Sequence, residues 1–221
     1  MNSKYVKFIS NNINIKLFFN ENIIEKLVFY EYYYLAMKIM LNNDGSVGNI
    51  NNQFIKSSRS NYPDVVKLLI DLGADVSVYN NNAIIWAAYL AHLDMVKLLI
   101  ENGADIHAQN DQAIIYASLS GHLSVIKLLI ELGANILAQH NQAIINASRR
   151  GHLSVVKLLM ELGADIHAQN NQAIIYASGN GHLSVVKLLI ELGANIHAQN
   201  NKALKCAELY NQWNIIELLK N

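Results

Sequence analysis

Four histidines, His92, His122, His152 and His182, recur at a spacing of 30 residues, and His107, His167 and His197 follow the same period with one gap. Imidazole is the commonest metal ligand, so a row of this kind is the first place to look for a zinc site. A zinc ion gathers its nitrogens at about 2.0–2.1 Å, whereas copies of one position in successive structural units stand about 10 Å apart, the separation of packed helices. The first four histidines are therefore read as structural, and the other three as loop residues that hydrogen-bond locally; no metal or other cofactor is expected. Ser124 and Lys127, with copies at Ser154/Lys157 and Ser184/Lys187, match the Ser-x-x-Lys of some acyl-transfer enzymes. Three identical copies on the solvated side of a helix lack the pocket and oxyanion donors that such a nucleophile needs. The single cysteine, Cys206, can form no intrachain disulfide, which fits a reducing, cytoplasmic setting. No phosphate-binding glycine loop or zinc-protease helix is present, and no enzyme is expected.

What positions these residues is a repeat. The dipeptide Gly-Ala recurs at Gly73, Gly103, Gly133, Gly163 and Gly193, and the segment GHLSVIKLLIELGAN from Gly121 returns almost unchanged from Gly151 and Gly181. The units are 50–79, 80–109, 110–139, 140–169, 170–199 and a truncated 200–221. Within 110–139, the stretch from Gln112 to Ser120 places Ala113, Ile114 and Ala117 on one helical face. After Gly121, a second helix from Leu123 to Leu132 puts Val125, Ile126, Leu128, Leu129 and Leu132 at core spacing, with Ser124, Lys127 and Glu131 toward water. Gly133 ends that helix, and Asn110-Asp111 marks the turn between units. Neither helix is long enough to be stable alone, so each buries its apolar stripe against its neighbours, and the predicted fold is an all-α solenoid held by contacts between adjacent units.

The residues GHLSVVKLLMELGAD from Gly151, repeated with small changes in every full unit, resemble the second helix and loop of the ankyrin repeat. The resemblance runs from residue 50 to residue 221 and implies a non-catalytic, protein-binding module. Two features depart from the family pattern. The unit has 30 residues where the family has about 33, the missing ones falling between Ala108 and Gln112, so the protruding finger between units should be short. The Thr-Pro-Leu-His that opens the family's first helix is here Gln112-Ala113-Ile114-Ile115, so its cap hydrogen bonds must be replaced or forgone. The short unit, rich in Asn and Ile, resembles ankyrin proteins of giant DNA viruses of amoebae, which would make a host regulatory protein the partner and the host cytoplasm the location.

Residues 1–49 do not repeat cleanly, but Met37 to Gly45 echoes Val66 to Ala74, and the segment reads as a degenerate capping repeat whose Tyr30, Tyr32, Tyr33 and Tyr34 cover one end of the stack. Trp213, Glu217 and Lys220 give the last unit the partly polar face of a cap at the other end. Seventeen Lys plus Arg balance seventeen Asp plus Glu, which removes the long-range attraction that draws basic proteins to nucleic acid or anionic membranes. The apolar run from Ile23 to Leu41 carries Glu25, Lys26, Glu31 and Lys38, too many charges for a membrane span. Neither membrane nor nucleic acid is an expected partner, and the chain is expected to be a monomer.

Shared positions of an array specify the stack, so partner information must lie where units differ. Three columns differ: Trp86, Tyr116, Asn146, Tyr176 and Cys206; Tyr89, Leu119, Arg149, Gly179 and Leu209; Leu90, Ser120, Arg150, Asn180 and Tyr210. Their i, i+3, i+4 spacing puts them on one face of the first helix, read as the face opposite the buried one and, by the family resemblance, as the concave groove. The candidate binding residues are Trp86, Tyr89, Leu90, Tyr116, Leu119, Asn146, Arg149, Arg150 and Tyr176. An aromatic run beside arginines suits a protein segment with a hydrophobic residue near acidic ones. The alternatives are self-association through the patch from Trp86 to Leu119 and, against the neutral charge, nucleic-acid binding through Arg59, Arg149 and Arg150 with tyrosines stacked on bases.

Overall fold

The structure, a computed structural model, describes residues 47–220. The capping repeat expected over 1–49 and its tyrosines lie outside the described residues, apart from the backbone of 47–49. Two compact units share the described chain: 47–56 with Asp64–Asp75, and Ser57–Pro63 with 76–220. Twelve helices and no strand occur among the described residues. They are α1 (Val47–Arg59), α2 (Pro63–Asp71), α3 (Val78–Tyr89), α4 (Leu93–Glu101), α5 (Ala108–Ser120), α6 (Leu123–Glu131), α7 (Ala138–Arg150), α8 (Leu153–Glu161), α9 (Ala168–Gly179), α10 (Leu183–Glu191), α11 (Ala198–Leu209) and α12 (Trp213–Lys220).

In the larger unit the second helix of each repeat follows the expected pattern. In α6, Val125, Ile126 and Leu129 are buried while Ser124, Lys127 and Glu131 are exposed. Gly133, at φ 97°, lets its N–H reach the Ile130 carbonyl at 2.9 Å and the Ala134 N–H reach the Leu129 carbonyl at 2.9 Å, the paired bonds of a Schellman stop. Leu132 departs from expectation: it is 44% exposed, because the helix ends at Glu131 and turns it outward.

The first helices are buried more widely than a one-face reading allows. In α5, Ile115 and Ser118 are buried along with Ala113, Ile114 and Ala117. Successive first helices, α3 to α5 to α7 to α9 to α11, pack on each other more closely than the second helices do, so each interior one is flanked by two neighbours and by its own second helix. A helix covered on several sides must be apolar on several sides.

Where longer ankyrin units carry a finger, this chain makes one left-handed turn. Gln109, Asn110 and Asp111 have φ of 54°, 58° and 60° at the start of α5, and each later repeat does the same at Gln139–Asn141, Gln169–Asn171 and Gln199–Asn201, as does Tyr79–Asn81 before them. Left-handed geometry costs an ordinary L-residue about 1–2 kcal/mol, and Asn and Asp tolerate it best, which is why they fill most of these positions.

Side chains offset that strain. The third residue of the turn accepts a backbone N–H from 24 residues later: Asp105 to Asn81 at 2.8 Å, Asn135 to Asp111 at 2.8 Å, Asp165 to Asn141 at 2.8 Å and Asn195 to Asn171 at 2.9 Å. The first residue reaches backward, Gln109 Nε2 donating to the Asn80 carbonyl at 3.0 Å, Gln139 to that of Gln109 at 3.1 Å and Gln199 to that of Asn170 at 3.0 Å. These ladders join successive turns, while no side-chain cap bond is made at the starts of α5, α7, α9 and α11, so the cap bonds of Thr-Pro-Leu-His are forgone.

Histidines tie the other edge. Nε2 of His92, His122, His152 and His182 lies 3.0–3.1 Å from the carbonyl oxygens of Arg59, Tyr89, Leu119 and Arg149, each 33 residues back. A Cβ placed on Gly121 or Gly151 would fall 2.5 Å from Nδ1 of His152 or His182, so the ring lies directly against the glycine of the preceding repeat. The loop histidines act as expected: Nδ1 of His107, His167 and His197 meets Asp111, Asn171 and Asn201 at 2.9, 3.1 and 2.8 Å. Both histidine sets thus have structural partners, and among the described residues no group of three or more His, Cys, Asp or Glu is placed to hold a metal. No helix among them is long and apolar enough to cross a membrane.

The last repeat changes character where a following one would stack. Lys205 and Glu208 stand in the columns that hold buried Ile175 and Ser178 one repeat earlier, and Lys220 in that of Ile190. Lys220 Nζ pairs with Glu208 Oε1 at 2.9 Å, giving the end a charged surface.

Candidate interaction face of the first helices

The three variable columns lie along the solvent edge of α3, α5, α7, α9 and α11, but not on a fully open face. Trp86, Tyr89, Tyr116 and Leu119 are half-buried, Leu90 is 37% and Tyr176 38% exposed, and Arg149 and Arg150 are exposed. Asn146 is buried, its Oδ1 accepting a hydrogen bond from Gln142 Nε2 at 2.9 Å. The expectation that all nine residues point away from the core is corrected at Asn146 and softened at the aromatics. First helices stacked at packing distance let large side chains lean sideways onto the neighbouring repeat.

Leaning brings some of them together. The rings of Trp86 and Tyr89 meet edge to face, 5.7 Å between centroids at 85°, and Tyr89 meets Tyr116 of the next repeat at 5.9 Å and 65°. Arg59 lays its guanidinium over Trp86, Cζ 4.2 Å from the ring centroid, and Arg149 lies 5.3 Å from the centroid of Tyr176. The helix ends beneath are pinned: the Arg149 carbonyl accepts from Asn180 Nδ2 at 2.7 Å and from His182 Nε2 at 3.0 Å. Arg150 stands apart from the aromatic groups.

Arg59 joins this cluster although it is not among the nine candidate residues; it occupies the column of Tyr89, Leu119 and Arg149 one repeat earlier, and extending the register by one unit finds it. Tyr210 is a second omission. A Cβ on Gly179 would lie 3.5 Å from Tyr210 Cδ2 and 3.2 Å from Cys206 Cβ, so the tyrosine ring covers the space that glycine leaves.

A family model for ankyrin repeats (3 copies) matches the chain at residues 20–110, 54–140, 107–170 and 144–221. The chain belongs to the ankyrin-repeat family. No curated protein matches it. Ankyrin repeats are generally non-catalytic protein–protein interaction modules, which agrees with a set of aromatic and arginine side chains gathered on stacked helices. In this ankyrin array Ser124 and Lys127 are both exposed on α6, on the side of the repeat formed by the second helices.

Burial pushes the His122 imidazole below its ordinary pKa of 6.5, against the hydrogen bond to the Tyr89 carbonyl and helped by the neighbouring His152 and His92. His122 therefore stays neutral near pH 7 and holds the end of α3, on which Tyr89 sits, by a hydrogen bond rather than by charge.

Proposed function

We propose that this ankyrin array is a non-catalytic module that holds a partner protein on the first-helix face of its repeats. The observation that supports this most is the cluster of Arg59, Trp86, Tyr89 and Tyr116, in which an exposed guanidinium and three half-buried aromatic rings meet across neighbouring first helices. Clustered Trp, Tyr and Arg are the side chains that dominate binding energy at protein interfaces. Because the stack fixes the backbone on which they sit, little ordering accompanies capture, and contacts spread over several repeats add up.

The test is capture from cell lysate by the natural chain and by a Trp86→Asp, Tyr116→Asp, Arg149→Glu variant with unchanged helical content. A protein kept by the first and lost by the second supports the face; equal recovery by both removes it. Self-association is a second reading, favoured by Leu209, Tyr210 and Trp213, which are 71%, 60% and 72% exposed around the turn between α11 and α12. A mass by sedimentation that stays at one chain across concentrations would discard that reading.

A further inference from the structure

Zero net charge conceals a division between the first helices, taken together, and the rest of the larger unit. In the larger unit, the first helices carry exposed Arg59, Arg149, Arg150 and Lys202, with Lys205 on the charged end of the last repeat. Their carboxylates are already engaged: Asp111 is buried and bonded to Asn135 N–H and His107, and Glu208 is paired with Lys220. The second helices and loops of the same unit hold the opposite balance, eight carboxylates against five lysines, so the acidic excess is carried by those elements and not by the first helices. A face with cations and no unengaged carboxylate attracts acidic partners and repels basic ones whatever the overall charge.

Two arginines are also prepared for carboxylates. Arg59 over Trp86 and Arg149 over Tyr176 lie three repeats apart in one column. Stacking covers one face of a guanidinium and limits its motion while leaving its N–H edges open, the fork that matches a carboxylate in two parallel hydrogen bonds. Neither arginine has a carboxylate within ion-pair distance among the described residues. At about 10 Å per stacked repeat the two stations are about 30 Å apart, a span that extended chain covers with about nine residues. Between them lie the Tyr89–Tyr116 pair and Leu119 as an apolar floor.

We propose that the first-helix face takes a linear acidic segment of a partner protein, its carboxylates on Arg59 and Arg149 and an aromatic or aliphatic residue between them on Tyr89, Tyr116 and Leu119. This rests on the reading of that face as the binding surface. Single-stranded nucleic acid fits less well: the Trp86 and Tyr176 rings are already covered by guanidinium, and Tyr89 is held edge to face between its neighbours, so few open ring faces remain for bases.

The experiment is selection of a displayed library of random peptides of about twelve residues, long enough to span both stations, on the immobilised full chain. Enriched peptides are then titrated, by fluorescence anisotropy, against the natural chain and two variants, Arg59→Glu with Arg149→Glu and Trp86→Asp with Tyr116→Asp. Peptides rich in Asp and Glu around one apolar residue are expected. Their affinity should fall at least about tenfold when the acids become amides or both arginines are reversed, and should weaken with added salt. Neutral or basic peptides that lose binding only to the aromatic variant would overturn the acidic chemistry and leave the face standing as the binding site. Peptides indifferent to both variants would overturn both, and a library that enriches nothing would overturn the linear segment. A thymidine oligonucleotide bound as tightly as the best peptide would overturn the choice of protein over nucleic acid.

Discussion

Replacing Asn171 with alanine should destabilise the array by about 2–3 kcal/mol, and the parts of that loss can be separated. Asn171 is 7% exposed, sits at φ 65° and ψ 36°, and its Oδ1 accepts the Asn195 N–H at 2.9 Å and faces His167 Nδ1 at 3.1 Å. Asn171→Ala leaves the Asn195 N–H without its acceptor, about 1–2 kcal/mol, and puts an unsuited residue into left-handed geometry, about 1 kcal/mol. Asn171→Gly removes the acceptor while keeping the geometry easy, so it should lose less than alanine. Asn171→Asp keeps an acceptor and a tolerant residue, as Asp111 does at the same position, and should stay within about 1 kcal/mol of the natural chain.

Urea unfolding followed by circular dichroism would read these differences. For an array of this size each kcal/mol corresponds to about 2–4 °C in Tm, so the alanine variant should melt roughly 4–12 °C lower. Stability in a stack is a sum of local and neighbour contributions, so the loss should appear first as weakened amide-exchange protection in α9 to α12. If Asn171→Ala unfolds with the natural chain, the side-chain ladder does not hold the left-handed turns. If glycine is as damaging as alanine, the geometry carries none of the loss.

Three further outcomes are expected. Ser118 Oγ is buried with no hydrogen-bond partner in a column where one repeat has Ala88, so Ser118→Ala should leave stability unchanged or raise it by up to about 1 kcal/mol in thermal unfolding. Changing Lys205→Ile with Glu208→Ser puts the apolar pattern of the interior repeats on the exposed side of α11, and light scattering should then show association that grows with concentration. Burial lowers the His122 pKa from 6.5, so below that pH the unfolded chain binds a proton that the folded chain still resists. Stability should therefore be full above about pH 6.5 and decline as pH falls until the folded-state pKa is passed, with a shallower decline in urea midpoints for His122→Gln.

The second helices were legible because one side faces water, so apolar spacing and the closing glycine carry the whole signal. The one-face pattern of the first helices understates their burial for the opposite reason. Ile115 and Ser118 lie off the predicted face but are buried by adjacent repeats, and a single repeat contains no trace of its neighbours' position. The left-handed turn was legible as a turn, from Asn110-Asp111, but not in its hand. No one residue dictates three such conformations in a row; they persist because the glutamine and asparagine ladders join copies of the turn, and those bonds exist only in the stack.

Variation along a column has at least three physical causes, and only one of them concerns a partner. Asn146 differs from Tyr116 and Tyr176 yet is sealed by its bond with Gln142. Lys205 and Glu208 differ from their columns where the side chains are exposed and Glu208 pairs with Lys220, and Gly179 differs where Tyr210 fills its space. Arg59, Trp86 and Arg149 are not accounted for by burial, capping or space filling. Their stacked pairs lie at the edge of solvent and supply the fold with about 1 kcal/mol each, an amount that many other side chains could match. Charge reversal at Arg59 and Arg149 should therefore cost far more in partner affinity than in Tm, whereas for residues kept only for packing the two losses would rise together.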